Sequence, residues 1–381
     1  MIAEPVQHIP RAEDFTFLPP TAQPFAYANV DKFYATRPIP RGGDVYPLPR
    51  GPEIAPVYVT DGHERSVADY IDRTNAAGLL VIKRGHIVLE RYALGLREAT
   101  RWTTSSCVKS MTSTLVGAAI RDGAIGSIDD QVIKYLPILT GSAYDGATIR
   151  HLLTMSSGAG WIEVYTERES DASRYSTLMA RRIPGSIINM LRTIPPAHKP
   201  GTHFNYSTGD NYLLGCIVTE ATGQTLAAYM SEKIWANFGM EFEAFFSLES
   251  DEGQDVGSGR AGIALRDFGR FGLFIVNGGI ANGRPVLPDE WIDQAGTPAF
   301  QLTPGQSSYG ATGYGYTWWI DPDGSMVAVG FGGQTIYINR REDLVIATLS
   351  CWPQPPYDAP YGINRAAERL AFRAAIVRHL G

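Results

Sequence analysis

Strand-like stretches lie at both ends of this chain, and helical ones fill the long middle. Near the start, residues 78–85 and 86–92 read as two strands joined at Arg84-Gly85. Near the end, residues 314–320, 326–330, 335–339 and 344–349 read as a meander, with a turn at Asp321–Gly324. Between them the spacing of apolar residues predicts helices over 148–154, 185–193, 209–222, 225–237 and 264–276. A short helix over 64–76 precedes the first strands. A helix over 105–122 follows them and stops at Asp122-Gly123. Residues 363–380 predict an arginine-rich amphipathic helix. The simplest architecture is one antiparallel sheet built from both ends of the chain, carrying helices, with an inserted helical lobe.

This order divides the chain into three parts. Residues 1–60 form a proline-rich arm, with Pro19-Pro20, Pro38, Pro40, Pro47, Pro49, Pro52 and Pro56 arguing against regular helix. Its aromatic residues predict that it lies on the body of the protein. Residues 61–104 and 297–381 form the sheet domain, and residues 105–296 the mainly helical lobe. A cleft between two such units is a natural place for a small-molecule site.

Composition excludes several function classes. The net charge of -6 argues against nucleic-acid binding, which needs a basic surface. The three cysteines, at 107, 216 and 351, form no C-x-x-C pair, so neither a disulfide framework nor a zinc site is expected. No H-E-x-x-H pattern points to a metal. The opening residues carry no basic leader, and no apolar run has membrane-spanning length. A soluble, cytoplasmic protein without cofactor, monomeric or homodimeric, is the expectation.

Chemistry enters at Thr103–Met111, which contains Ser106-x-x-Lys109. The chain has six lysines, and this is its one Ser-x-x-Lys. Val108, Met111, Leu115, Ala119 and Ile120 recur at helical spacing behind it, so one face of the segment is apolar. Residues three apart share a helix face, which brings the amine to the hydroxyl. A serine hydroxyl is a poor nucleophile until a base or cation helps remove its proton. The helix N-terminus offers free N–H groups for a developing oxyanion. A solvated surface helix with a serine cap would show the same four residues, so the spacing alone does not decide.

Two further segments bear on that choice. Tyr206-Ser207-Thr208 follows a Pro200-Gly201 loop and opens a helix. Beside an ammonium a phenolate is favoured, so Tyr206 can shuttle a proton. Gly330–Gln334 joins two late strands, and its glycines mark a bulge, a close backbone approach or a tight turn.

Taken together, Ser106-x-x-Lys109, Tyr206-Ser207-Thr208 and the glycine-rich strand near the C-terminus resemble the class C β-lactamase-like serine hydrolases. The phrases Ile149–Gly158, Pro200–Tyr206 and Leu265–Gly272 also look like that family. The resemblance covers roughly 65–380 and is strongest to the branch of 6-aminohexanoate-dimer hydrolases and carboxylesterases. It implies an α/β (α+β), β-lactamase/transpeptidase-like fold, an antiparallel sheet flanked by helices. It implies Ser106 as nucleophile, Lys109 as the group easing its deprotonation, and Tyr206 as general base and proton donor. The oxyanion hole would be the backbone N–H groups of Ser106 and Gln334. Tyr165, Trp161, Thr208, Phe331, Gly332 and Gly333 would meet substrate, and Trp318 would join the aromatic lining. His151, His198 and His203 would be structural.

Two departures bear on substrate. The family's third motif carries a lysine where this chain has Phe331, and the second ends in asparagine where this chain has Thr208. A β-lactam carboxylate would lose a charge-assisted partner worth about 1.5–3 kcal/mol. The expected reaction is hydrolysis of a carboxylic ester or small amide through an acyl-enzyme. A β-lactamase or D-amino-acid amidase, an acyltransferase on the same site, and a silent binding protein of the same fold are the alternatives.

Overall fold

The structure is a computed structural model and describes residues 11–165, 167–303, 306–307, 309–353 and 363–380. Residues 1–10 of the expected arm lie outside them.

The sheet built from both chain ends is present. Its eight antiparallel strands run Phe300–Gln301, Gly313–Tyr314, Trp319–Ile320, Met326–Gly330, Gln334–Asn339, Leu344–Ser350, Ala76–Lys83, His86–Tyr92. The join between the chain ends is the pairing of Val345 with Ile82 and Ala347 with Leu80. Strand residues alternate between two faces. On one face Leu80, Ile82, Ile336 and Val345 join the main core. On the other, Leu79, Val81, Tyr337 and Ile346 join a second core with Phe372 and Ile376 of the C-terminal helix. That helix, Arg365–Leu380, covers the back. Helix Leu265–Val276 covers the front, its Gly269 against Leu80 and its Gly272 against Val345. Mixed helix and antiparallel sheet is therefore the fold class, as the sequence predicts.

The structure departs from the sequence reading in four places. The predicted strand 314–320 is broken, because residues 315–318 turn away to dock on the helix that follows Ser106. There Thr317 adopts a left-handed φ of 56°. Its carbonyl accepts from Ser110 Oγ at 2.7 Å, and its hydroxyl donates to the Lys109 carbonyl at 3.1 Å. The structure also holds a second sheet whose strands the sequence reading does not contain. Thr36–Ile39, Ala244–Ser247, Ala261–Ile263 and Trp102–Thr103 form a four-stranded antiparallel sheet. These strands are two to four residues long and mostly buried on both faces, so no alternation marks them. A helix at Asp171–Arg181 also went unread. Ser170 caps it by accepting from the Ser173 N–H.

The fourth departure is the arm, which contains short helices after all, a 3₁₀ segment at Ala12–Phe17 and an α-helix at Gln23–Ala28. Pro24 sits in the first turn, where its missing N–H costs nothing. Phe15, Tyr27, Phe33 and Tyr34 are buried, so the arm is built into the body. We propose a sheet body, a helical lobe and this arm as the working division of the chain, with helix Leu265–Val276 packed on the body.

Candidate active site

The pairing of Trp102–Thr103 with Gly262–Ile263 fixes the chain just before Ser106. Thr104 N–H then bonds the Ala261 carbonyl at 2.9 Å. Ser105 takes a left-handed φ of 47°, and a 3₁₀ turn over Ser105–Cys107 leads into helix Val108–Arg121. A non-glycine residue in that region costs free energy and is held there by its surroundings. The turn places Ser106 at the mouth of the helix and Lys109 one turn in. The helix is buried nearly all round, not on one face as the periodicity predicts.

Lys109 is 1% exposed. Its Nζ lies 2.9 Å from Ser106 Oγ, 3.1 Å from Thr208 Oγ1 and 2.6 Å from the Ser258 carbonyl. All three partners are neutral. Burial pulls its pKa down to about 8, with the nearby Glu163 carboxylate acting in the other direction. An amine so placed can hold or release a proton near neutral pH.

Tyr206 joins them. Lys109 Nζ stands 5.1 Å from the centre of its ring. The ring stacks on Trp319 at 5.4 Å, which fixes its direction. Burial raises its hydroxyl well above the ordinary tyrosine range, against a lowering hydrogen bond with the Ser106 side chain. This corrects the expected electrostatics. Desolvation outweighs the neighbouring cation, and the favoured form is the phenol.

The sequence missed Glu163. Its carboxylate accepts from Trp161 Nε1, Tyr165 Oη, the Thr208 hydroxyl and, at 2.9 Å, the Thr208 N–H. It therefore gathers three of the expected substrate residues into one network. Thr208 lines the pocket beside Ser106, but its hydroxyl is held between Lys109 and Glu163 and is not free for substrate. Glu163 lies between Trp161 and Tyr165, both expected from the resemblance to meet substrate. A carboxylate two residues from Trp161 and from Tyr165 was the available signal.

The pocket beside Ser106 has a volume of about 50 Å³, and Tyr165, Thr208 and Phe331 stand in its wall. The rings of Tyr165 and Phe331 pack at 5.2 Å. Other expected contacts are corrected. Trp161 and Trp318 are 3% and 1% exposed and belong to the core. Gly332 and Gly333 have φ of 82° and 90° and form a turn against buried Tyr27 and Trp352. They are glycine because a left-handed turn pressed on two large rings leaves no room for a side chain.

Gln334 is also displaced from its expected role. It pairs with Gly330 across the hairpin, and its buried side chain donates to the Phe331 and Ser350 carbonyls at 3.2 and 2.8 Å. Its own carbonyl faces Cys107 Sγ at 3.4 Å, away from the pocket. The hairpin instead touches the nucleophile turn at Gly330. A Cβ there would lie 2.4 Å from the Thr104 carbonyl and 3.1 Å from the Ser106 nitrogen. That contact brings Phe331, the next residue, to the pocket with Ser106. Neither the Ser106 nor the Phe331 N–H finds a backbone acceptor among the described residues.

The three histidines stand apart from this site. His198 and His203 stack on each other at 4.1 Å, and His151 Nδ1 accepts from the Thr148 N–H. No cluster of potential metal ligands occurs among the described residues, and none of their helices is long and apolar enough to cross a membrane.

An antiparallel sheet with helices on both faces, and a Ser-x-x-Lys turn against the end of one of its central hairpins, is the fold shared with β-lactamases and penicillin-binding proteins. Residues 64–371 match the Beta-lactamase family model, and the chain belongs to that family. It is 27% identical over 296 residues to the 6-aminohexanoate-dimer hydrolase of Paenarthrobacter ureafaciens, a match covering 75% of each chain. It is 28% identical over 203 residues to esterase EstB of Burkholderia gladioli, covering 47% of this chain and 50% of that enzyme. Among solved structures it resembles a Bacillus anthracis protein assigned provisionally to the 6-aminohexanoate-dimer hydrolases. The TM-score is 0.81 at 22% identity, over 94% of both chains. At that identity the likeness speaks for the fold. The homologues are hydrolases.

Proposed function

We propose that this protein is a serine hydrolase that cleaves carboxylic esters or small amides through an acyl-enzyme on Ser106. The observation that carries the reading is the 2.9 Å contact between Lys109 Nζ and Ser106 Oγ. In the amine form Lys109 takes the proton from Ser106 as the oxygen attacks the substrate carbonyl. The Ser106 and Phe331 N–H groups stabilise the oxyanion, since both are free and both border the pocket. Tyr206, a phenol at rest, donates its proton to the leaving group and regains one from the Lys109 ammonium. Water then attacks the acyl-enzyme by the reverse route and releases the acid. Relatives named as an esterase and as a 6-aminohexanoate-dimer hydrolase support the ester or amide class.

The test is Ser106→Ala assayed with p-nitrophenyl butyrate, alongside mass spectrometry after fluorophosphonate treatment. Turnover should be lost and one adduct should map to Ser106 in the wild type. Wild-type rates in Ser106→Ala, or an adduct elsewhere, would overturn the reading.

A further inference from the structure

The pocket beside Ser106 holds a cation that no carboxylate answers. Arg260, just before strand Ala261–Ile263, lines it together with Ser106 and Phe331. The residue is 9% exposed. Its guanidinium carbon lies 5.0 Å over the Phe15 ring and 4.7 Å over the Tyr34 ring. One terminal nitrogen donates to Thr16 Oγ1 and to Ser176 Oγ, each at 3.2 Å, and another meets Met179 Sδ at 3.6 Å. Among the described residues these ring and neutral contacts are its side chain's partners, and no Asp or Glu pairs with it.

Burying a charge is costly unless an opposite charge or a full set of hydrogen bonds offsets it. Rings and hydroxyls hold the Arg260 guanidinium in place without neutralising it. It also acts on Lys109, helping to lower that pKa, whereas the Glu163 carboxylate acts on Lys109 in the other direction and makes no contact with Arg260. Arginine presents a planar fork suited to a carboxylate. The pocket's volume of about 50 Å³ admits only a few non-hydrogen atoms. Tyr206, which serves the leaving group, is not part of its wall but packs towards Trp319. The pocket therefore takes the acyl half.

We infer that the preferred substrate has a short acyl group ending in a carboxylate, which pairs with Arg260 while Ser106 attacks the other end. The inference rests on Ser106 being the nucleophile. An acyl group ending in an ammonium would face the Arg260 guanidinium and would be disfavoured.

Three p-nitrophenyl esters test this: the hemisuccinate, the butyrate and the 4-aminobutyrate, with Ser106→Ala rates subtracted. The wild type should favour hemisuccinate over butyrate at least tenfold in kcat/KM, with 4-aminobutyrate lowest. In Arg260→Gln the hemisuccinate-to-butyrate ratio should fall to near one, and Arg260→Lys should keep part of it. Fluorophosphonate labelling of Ser106 in each variant establishes that the site is intact. A wild-type ratio of one or below would overturn the inference without any variant, and so would an unchanged ratio in labelled Arg260→Gln. Ser106-dependent butyrate turnover without anionic preference would sink this inference alone. Absence of Ser106-dependent turnover of every ester would sink the hydrolase reading with it.

Discussion

Each face of the large sheet buries a cation, and the two are built for opposite ends. At the front, Lys109 is ringed by neutral oxygens, and burial pulls it down to about 8. At the back, Arg369 of the C-terminal helix is equally buried and lies 5.2 Å over the Trp352 ring, and burial pulls it down as far, but from a higher start, to about 10. Beside it Arg373 pairs with Asp321 at 3.0 Å. Lysine loses its proton when desolvated, and arginine keeps it. In the proposed mechanism the lysine stands where a proton moves, and the arginine stands where a charge stays.

Three substitutions press on that contrast. Lys109→Ala should lower kcat by about 10²–10⁴-fold, the usual worth of a positioned acid or base. If ester turnover survived intact, the front cation would be as structural as the back one. Asp321→Asn should leave kcat within about twofold but cost about 3 kcal/mol in denaturant unfolding, because it strands a buried charge. A large loss of kcat in that variant would erase the division between the faces. Glu163→Gln should have the smallest free-energy effect, about 1.4 kcal/mol, read as a loss of roughly tenfold in kcat through the Thr208 network. Its more telling result is the pH profile. The wild-type rate should rise with pH through about 8, as ammonium becomes amine. Glu163 raises the Lys109 pKa, so removing its charge should move the midpoint to lower pH. A midpoint that stayed put would remove Glu163 from the account.

What the sequence disclosed follows from range. Ser106 and Lys109 lie three residues apart, so helix geometry alone brings them together. Tyr206 and the sheet's two ends came from ordered motifs and strand patterns. The second sheet was hidden because its short strands are buried on both sides. Arg260 is hidden because nothing local marks it, and Glu163 because its two flanking aromatics are its one local mark. Glu163 acts through Thr208 and Arg260 through Phe15 and Tyr34, partners remote in the chain. The second oxyanion N–H, expected at Gln334, is proposed at Phe331 instead, because along a three-residue turn a small slip changes which residue borders Ser106. The phenolate expected of Tyr206 failed because proximity to a cation was weighed without the cost of burial.

The N-terminal arm supplies Phe15 and Thr16 to the pocket wall and the ring that carries Arg260, while Ser106, Lys109 and Tyr206 all come from later in the chain. On the proposed reading, the arm therefore positions the residue that selects substrate without supplying any residue that cleaves the bond. Exchanging the first forty or so residues for another arm would retune which acids this scaffold releases without redrawing the machinery that releases them.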